Sequence, residues 1–363
     1  MRKNVSGKNY LRWDIVRLCN KAGKVLHPQF VKQRLRRGLG RLRKREGLRY
    51  ISLSLSSACS ADCIYCPANR GESIKTKMMP FESVEKITQE ITSRHFQRMH
   101  NIESISISTN GDAFLNKDVI KILRFLKRKV PEIKKVCFTN FRAFTKEKID
   151  IVLREGLIDF MGCNIDGSTP ESYYSVKKAD YNKVREHLLY FIEMRKKLWR
   201  DMPLMMSITT FYAYVSSIRK GLGIYPSRAG DVDIENLSDD FQQTRDQYKD
   251  LLDHPKDHIL KTGVRGWAER HQIDPSTIDY SHYNCPILDR VKQTAYIAPD
   301  GSWWSCCWDG NNEIIFGNVI DTSIHDVFLS QKRKRFFELL ENRKFKEIGS
   351  PCETVNCCQE FGC

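Results

Sequence analysis

From Tyr50 onward the chain alternates between short runs rich in β-branched and other apolar residues and longer amphipathic segments. This alternation predicts repeated βα units and a parallel sheet. The predicted strands are Ile51–Leu55, Ile102–Ser108, Lys135–Thr139, Phe160–Ile165, Leu204–Thr210 and Gly230–Ile234. The predicted helices begin near Pro80 and then span Asp118–Leu126, Lys146–Arg154 and Tyr181–Leu198. In parallel α/β folds ligand groups come from the loops at the carboxyl ends of strands, so we expect the functional residues in those loops.

Three cysteines, Cys59, Cys63 and Cys66, lie within eight residues in the loop that follows the first predicted strand. A structural zinc site needs four ligands, and the next cysteine, Cys137, is too distant in the sequence to complete a local zinc knuckle. Three closely spaced thiolates can instead bind three irons of a [4Fe–4S] cluster and leave the fourth iron open to a small molecule. Plain buried thiols, disulfides and zinc ligands are the alternatives for cysteines in general.

The spacing C-x3-C-x2-C, with the aromatic Tyr65 before the last cysteine, resembles the signature of the radical S-adenosylmethionine (SAM) superfamily. The resemblance implies that the amino and carboxylate groups of SAM chelate the open iron, and that reduction cleaves SAM to a 5′-deoxyadenosyl radical. It also implies an α/β fold with a partial (β/α)6 TIM-like barrel. Tyr65 would then pack near the adenine, although a core aromatic is its alternative role.

The loop after the second strand, Ser108–Leu115, loosely resembles the Gly-Gly-Glu segment of the same superfamily. Asp112 takes the place of the usual glutamate, and the resemblance implies that its carboxylate accepts hydrogen bonds from the cationic amino group of SAM. A surface turn is the alternative, because Asn-Gly-Asp is a common turn sequence. After the third strand, Thr139-Asn140 resembles the family's Thr-Asn-Gly, with Phe141 in the glycine position.

The segment Asn164–Tyr173 after the fourth strand resembles the Ser-Ile-Asp-Gly…Tyr segment of SAM-radical enzymes with a C-terminal cluster domain. The resemblance implies that Asn164 hydrogen-bonds the ribose of SAM. A downstream arginine usually contacts the SAM carboxylate in this family, whereas the chain has Lys177 there. A lysine would replace the bidentate arginine contact with a point charge.

Seven of the thirteen cysteines lie from Cys285 onward, which marks a second unit. A hairpin with Asp-Gly at its turn is predicted before Cys306. Cys285, the G-x4-C motif that ends at Cys306 and the terminal cysteine group resemble a SPASM or shorter twitch domain, which binds one or two auxiliary [4Fe–4S] clusters. One cluster needs four ligands, which we assign to Cys285, Cys306, Cys352 and either Cys357 or Cys358. Two clusters and a structural zinc site are the alternatives.

The predicted domains are a basic helical extension (residues 1–48), a radical SAM core (49–270) and a SPASM-like iron–sulfur domain (271–363). Lys and Arg outnumber Asp and Glu by 60 to 44, giving a net charge of +16. Basic runs at Lys32–Arg45 and Gln331–Lys346 are interpreted as solvated helices, the first because no aromatic residues interleave with its charges. Nucleic acid is therefore not an expected partner.

The N-terminal residues do not resemble a signal peptide, and no stretch approaches ~18 consecutive apolar residues. A reducing compartment suits thirteen cysteines that bind metal rather than form cross-links. We therefore predict a cytoplasmic protein without a transmembrane segment.

These features together predict a radical SAM, oxidoreductase-like enzyme that oxidises or otherwise modifies a small or carbohydrate-like substrate. The resemblance also implies an electron donor such as flavodoxin or ferredoxin. Maturation of a peptide or protein is one alternative, and a basic nucleic-acid-binding metalloprotein is an alternative from a different class. The sequence identifies no catalytic acid or base.

Overall fold

The computed structural model describes residues 47–63, 66, 77–198, 201–210, 241–263, 278–310 and 312–354. The chain divides into two compact units, residues 1–47 and 48–363, and all the structure given below belongs to the second. The basic N-terminal run, Tyr65, Cys357 and Cys358 lie outside the described residues, as does the predicted domain boundary at residue 270. Within the described part of the chain, no helix is long and apolar enough to cross a membrane.

The sheet has nine strands in the order β6-β5-β4-β3-β2-β1-β7-β8-β9. They are β1 (Tyr50–Leu53), β2 (Ser104–Ser106), β3 (Lys134–Thr139), β4 (Phe160–Asn164), β5 (Leu204–Thr210), β6 (His258–Gly263), β7 (Thr294–Ile297), β8 (Ser302–Trp304) and β9 (Ile315–Asn318). Strands β1 to β6 are parallel and follow their order in the chain. This is the predicted topology of a partial (β/α)6 barrel, which is open because β7 occupies the other edge of β1.

Helices cover the connections between the strands. They are α1 (Phe81–Thr92), α2 (Arg94–Met99), α3 (Val119–Lys129), α4 (Lys146–Glu155), α5 (Pro170–Lys177), α6 (Tyr181–Lys197), α7 (Phe241–Tyr248), α8 (Leu288–Lys292), α9 (Ile324–Leu329), α10 (Gln331–Glu341) and α11 (Phe345–Ile348). Helix α3 shows why apolar periodicity predicted the helices. Its buried residues form one apolar face and are Val119, Ile122, Leu123, Phe125 and Leu126. The four predicted helices are all present, with their ends shifted by at most three residues.

One predicted strand lies outside the described residues, and one described strand was not predicted. The fifth predicted strand has the bounds of β5, and the partner of β5 on its other edge is β6, at His258–Gly263. The prediction placed the sixth strand at residues 230–234, which lie outside the described residues. Strand β6 was not predicted, because it contains polar and glycine residues and follows a polar helix, α7, so that it lacks a clear apolar pattern.

The C-terminal part of the chain continues the same sheet. Strand β7 pairs in parallel with β1, so that Thr294 lies opposite Tyr50 and Ile297 opposite Leu53. Strands β7 and β8 form the predicted hairpin, and Gly301 supplies the positive φ of +86° in its turn. Strand β8, which precedes Cys306, is therefore joined to the first strand of the parallel sheet through β7.

His100, directly after α2, joins this sheet to helix α9. Its Nδ1 accepts a hydrogen bond from the Leu48 backbone N–H at 3.0 Å, and its Nε2 lies 3.4 Å from His325 Nδ1. Burial, together with the nearby His325, Arg333 and His95, lowers the pKa of His100 to about 3. The folded protein therefore holds this imidazole neutral at physiological pH.

This burial predicts acid sensitivity. Below pH ~6.5 the unfolded chain binds a proton at His100 that the folded protein does not. The free energy of unfolding therefore decreases as the pH is lowered, by up to about 1.4 kcal/mol per pH unit. Asparagine can still accept from the Leu48 N–H, so we expect His100→Asn to have a smaller loss of stability between pH 7 and pH 5.5 in urea unfolding. The exposed His282 provides the control, and His282→Asn should keep the wild-type dependence. Equal pH dependence in the wild type and both variants would contradict this prediction.

Candidate functional site

The three clustered cysteines line a cavity of about 470 Å³ beside the carboxyl ends of the parallel strands. The same cavity is lined by Asp112, Asn164 and Lys177, the other described residues that the sequence predicted for the site. These residues come from the loops after β1 and β2, the end of β4 and the end of helix α5. The structure therefore brings together six side chains that are spread over more than a hundred residues.

The three cysteines of this loop are half-buried. Burial raises the pKa of Cys59 to about 11, and it raises the pKa of Cys63 to about 12 although the Lys177 ammonium opposes the shift. These two thiols are thus protonated at neutral pH, and a bound metal centre has to displace their protons. Within the described chain, no three Cys, His, Asp or Glu side chains form a site for a single metal ion. The donor set suits a cluster, in which each thiolate binds a different iron.

Asp112 is buried and already accepts two hydrogen bonds. Its Oδ1 accepts from the Phe114 backbone N–H and its Oδ2 from the Thr139 hydroxyl, both at 3.0 Å. Burial raises the pKa of Asp112, and these hydrogen bonds and the Lys148 ammonium oppose that rise. A carboxylate has about four lone-pair sites, so Asp112 can join the loop after β2 to the end of β3 and still accept from a ligand.

Gly111, the residue before Asp112, passes against the backbone of the cysteine loop. It has a φ of +80°, and a Cβ at this position would lie 2.4 Å from the Ser56 carbonyl oxygen and 2.5 Å from that of Ala58. The adjacent Asp112 N–H donates to the Ala58 carbonyl at 2.8 Å. Only glycine allows this close approach of the two loops.

We expect Gly111→Ala to displace the cysteine loop, to lower iron content and to destabilise the protein by more than the backbone strain of about 1–2 kcal/mol. Gly349 is a control for backbone strain alone, because its φ of +81° and ψ of −163° are also unfavourable for an L-residue, and a Cβ there would meet nothing within 4 Å. Gly349→Ala should therefore lose only the stability that backbone strain costs, and it should keep wild-type iron content. Urea unfolding and iron analysis measure both effects, and equal losses in the two variants would refute the role of the close approach.

Lys177 lines the cavity as predicted, and it forms an ion pair that the sequence analysis did not identify. Its Nζ lies 2.8 Å from Asp166 Oδ2, and the two side chains are 4% and 0% exposed. Asp166 Oδ1 also accepts from the Thr209 backbone N–H at 2.7 Å. In addition, the Lys177 carbonyl accepts from the Asp62 N–H at 3.0 Å, which ties helix α5 to the cysteine loop. Lys177 therefore has a structural role beside any contact with a ligand.

Neutral polar side chains continue the cavity wall across β4, β5 and β6. Asn164 Nδ2 lies 3.5 Å from the Thr209 hydroxyl, which is 3.4 Å from the hydroxyl of Thr262. Beside them Phe138 is 38% exposed, and its ring packs over Gly162, where a Cβ would lie only 2.3 Å from the ring. The sequence analysis missed Phe138, Thr209 and Thr262. Phe138 and Thr209 lie at or near the carboxyl ends of predicted strands, which was the available signal, whereas Thr262 lies in β6, which was not predicted.

The C-terminal cysteines lie in well-packed surroundings. Cys306 is buried, and its Sγ accepts from the Trp308 backbone N–H at 3.4 Å. Cys285 and Cys352 are half-buried. The Tyr280 hydroxyl donates to the Glu353 carbonyl at 2.7 Å, which brings the segment before Cys285 beside the turn that contains Cys352. Three of the predicted auxiliary ligands thus lie among the described residues, and the ligand roles of all five cysteines, Cys357 and Cys358 included, remain predictions.

Two family models match the chain. The first, described as the radical SAM superfamily, matches residues 53–210, and the second, the SPASM iron–sulfur cluster-binding domain, matches residues 285–358. The chain is 22% identical over 148 residues to a GTP 3′,8-cyclase of Petrotoga mobilis, an alignment covering 40% of the chain and 43% of the cyclase. The aligned part thus spans less than half the length of the curated relatives that it matches.

The fold is similar to that of SuiB from Streptococcus suis. The crystal structure of SuiB aligns with a TM-score of 0.53 at 14% identity, covering 98% of this chain and 84% of SuiB. SuiB bound to its precursor peptide SuiA aligns with a TM-score of 0.50 at 13% identity, covering 85% of this chain and 71% of SuiB. Identities this low establish similarity of fold and nothing further.

Proposed function

We propose that this chain, which belongs to the radical SAM superfamily and carries a C-terminal SPASM domain, reductively cleaves SAM and uses the resulting radical to modify a substrate. The observation that carries the proposal is the single cavity shared by Cys59, Cys63 and Cys66 with Asp112 and Lys177. When bound by these cysteines, a [4Fe–4S] cluster supplies the electron that cleaves SAM.

The charges in the cavity complement the amino acid end of SAM. Asp112 provides a buried carboxylate for the SAM ammonium, and Lys177 provides a cation for the SAM carboxylate. Because one N–H of Lys177 is directed to Asp166, its contact with SAM uses another of the three ammonium donors. Asn164 is proposed to hydrogen-bond the ribose, and Tyr65 to lie beside the adenine.

We infer a small, uncharged and hydroxylated substrate, such as a carbohydrate-like ring. The described cavity wall offers the hydroxyl and amide groups of Asn164, Thr209 and Thr262 beside the exposed aromatic face of Phe138. Both charged residues in that wall, Asp112 and Lys177, already have roles toward SAM. A few placed polar groups next to an aromatic surface are typical of sites for small polar ligands.

The C-terminal domain is proposed to bind one auxiliary [4Fe–4S] cluster through Cys285, Cys306, Cys352 and either Cys357 or Cys358. Such a cluster would accept an electron from the substrate radical or anchor the substrate. Flavodoxin or ferredoxin is the proposed electron donor to the first cluster. The reducing cytoplasm is the proposed compartment, because it suits thirteen cysteines that bind metal rather than form cross-links.

Maturation of a peptide is the second candidate function. It is favoured by the similarity in fold to SuiB, whose crystal structure holds the precursor peptide SuiA. The two candidates differ in what increases SAM cleavage, since a peptide maturase responds to its precursor peptide and the favoured enzyme responds to a hydroxylated small molecule.

The test is anaerobic reconstitution of the full chain, followed by addition of dithionite and SAM and quantification of 5′-deoxyadenosine. We expect its formation to depend on the reconstituted cluster and to increase with the correct substrate. Reconstituted protein that forms no 5′-deoxyadenosine under these conditions would exclude the proposed enzyme activity.

A further inference from the structure

Asn140, directly after β3, contacts the sulfur of one proposed cluster ligand. Its Nδ2 lies 3.4 Å from Cys59 Sγ, a distance suited to an N–H···S hydrogen bond. The backbone N–H of Ala61 donates to the same sulfur. The Cys59 sulfur therefore receives two N–H donors, one of them from a loop 81 residues away in the chain.

The neighbouring contacts fix which end of the Asn140 amide faces the sulfur. Asn140 Oδ1 accepts from the Arg142 backbone N–H at 2.8 Å and from the Ser60 hydroxyl at 3.2 Å. A backbone N–H can only donate, so the oxygen must face Arg142 and the NH2 group must face Cys59. The Arg142 N–H, which cannot exchange roles, therefore orients the amide as a donor to the thiolate.

The turn that carries Asn140 is anchored by Phe141. This residue has a φ of +64°, where L-residues other than glycine are uncommon, and its ring is fully buried, 5.3 Å from the ring of Phe191. His187 Nδ1 lies 2.8 Å from the Phe141 carbonyl oxygen, and the Arg142 guanidinium donates to the Ser60 carbonyl. Burial of the Phe141 ring thus holds Asn140 in place against the cysteine loop. Phe141 stands where the Thr-Asn-Gly motif of the radical SAM family usually has glycine.

We propose that Asn140 is a positioning residue that donates a hydrogen bond to the Cys59 thiolate and thereby raises the reduction potential of the bound cluster. The inference rests on the proposed function, because it requires a cluster at Cys59, Cys63 and Cys66. Reduction adds negative charge to the cluster and its sulfurs, and N–H donors stabilise that charge more in the reduced state than in the oxidised state. The loop after β3 therefore makes the reduction that precedes SAM cleavage easier.

The experiment compares the midpoint potential of this cluster in the wild type, Asn140→Ala and Asn140→Asp by EPR-monitored redox titration of the anaerobically reconstituted full chain. The Ala variant removes the donor. The Asp variant retains the acceptor oxygen for the Arg142 N–H and the Ser60 hydroxyl but replaces the N–H with a negative oxygen. The spectrum of Cys63→Ala protein, which retains only the auxiliary cluster, is subtracted from each titration.

We expect the reduced-to-oxidised ratio at a fixed ambient potential to fall about tenfold in Asn140→Ala, a shift of about 59 mV for a one-electron couple, and to fall further in Asn140→Asp. Ser60→Ala is the control, because it removes one hydrogen bond to Asn140 and leaves the N–H facing Cys59. Its midpoint should equal that of the wild type.

Each other outcome has a definite meaning. Unchanged midpoints in both loaded Asn140 variants would overturn the inference, and so would failure of both variants to hold the cluster, since Asn140 would then act in assembly. If only Asn140→Ala fails to bind the cluster, the midpoint potential of Asn140→Asp decides: a fall supports the inference, and an unchanged value overturns it. A wild type that gives no EPR signal would instead overturn the proposed function.

Discussion

Replacing Cys63 with alanine is expected to lower SAM cleavage by more than ~100-fold, because loss of a direct ligand exceeds the 10- to 100-fold cost of losing outer-shell groups around a metal. The remaining pair, Cys59 and Cys66, leaves one iron of the cluster without its thiolate. The measurements are 5′-deoxyadenosine formation and iron and sulfide per chain after anaerobic reconstitution. Iron should fall by about four atoms per chain, since one [4Fe–4S] cluster is lost while the C-terminal cysteines are unchanged.

Cys137→Ala is the matched control for Cys63→Ala. Cys137 is fully buried in β3, and the Ser108 hydroxyl lies 3.9 Å from its sulfur. Burial raises the pKa of Cys137, so that it remains a thiol. Its replacement should cost on the order of 1 kcal/mol in stability and leave iron content and SAM cleavage intact. Wild-type cleavage in Cys63→Ala, or equal losses in the two variants, would contradict the proposed cluster site.

The Asp166–Lys177 pair carries the second large effect. We expect Asp166→Asn to destabilise the protein by about 3–5 kcal/mol, because it leaves the buried Lys177 ammonium facing a neutral amide. The double variant Asp166→Asn/Lys177→Met should recover most of that loss, since it removes the buried charge as well. Urea unfolding of the wild type, both single variants and the double variant measures the coupling.

The same double variant separates stability from SAM binding. If Lys177 also contacts the SAM carboxylate, the refolded double variant should bind SAM more weakly than the wild type in equilibrium binding.

Lys77→Ala is the control for the stability loss of Asp166→Asn, because Lys77 lies 2.7 Å from Asp300 but the two side chains are 48% and 39% exposed. We expect Lys77→Ala to lower the free energy of unfolding by less than ~1 kcal/mol. If Asp166→Asn loses as little stability as Lys77→Ala, burial of the charges does not govern their coupling.

Much of the fold could be predicted because its signals are local. Apolar periodicity located α3, and the β-branched run at Leu204–Thr210 gave both ends of β5. Strand β6 was not predicted, because its residues, His258–Gly263, have no apolar alternation strong enough to distinguish a strand from a loop. The pairing of β7 with β1 was also missed, because register between distant strands leaves no pattern within either one.

The candidate site was predictable where its ligands are close in sequence. Cys59, Cys63 and Cys66 carry their own spacing, and Asp112 and Asn164 lie in loops at the ends of predicted strands. Their roles toward SAM still depend on the proposed experiments. Asn140 was recognised only as part of a motif, because an amide becomes a donor to a thiolate only when a second loop is folded against it.

The sequence by itself determined the parallel sheet, because repeated βα patterns predict it, and three thiols at short spacing predicted a cluster with an open iron. Only the tertiary structure decided which groups surround those thiols. The contacts of Asp166 with Lys177 and of Asn140 with Cys59 join different loops, and neighbouring loops are set by strand order and register. Local periodicity determines which segments become strands, whereas the burial of charge and the direction of hydrogen bonds are settled only when those strands pack together.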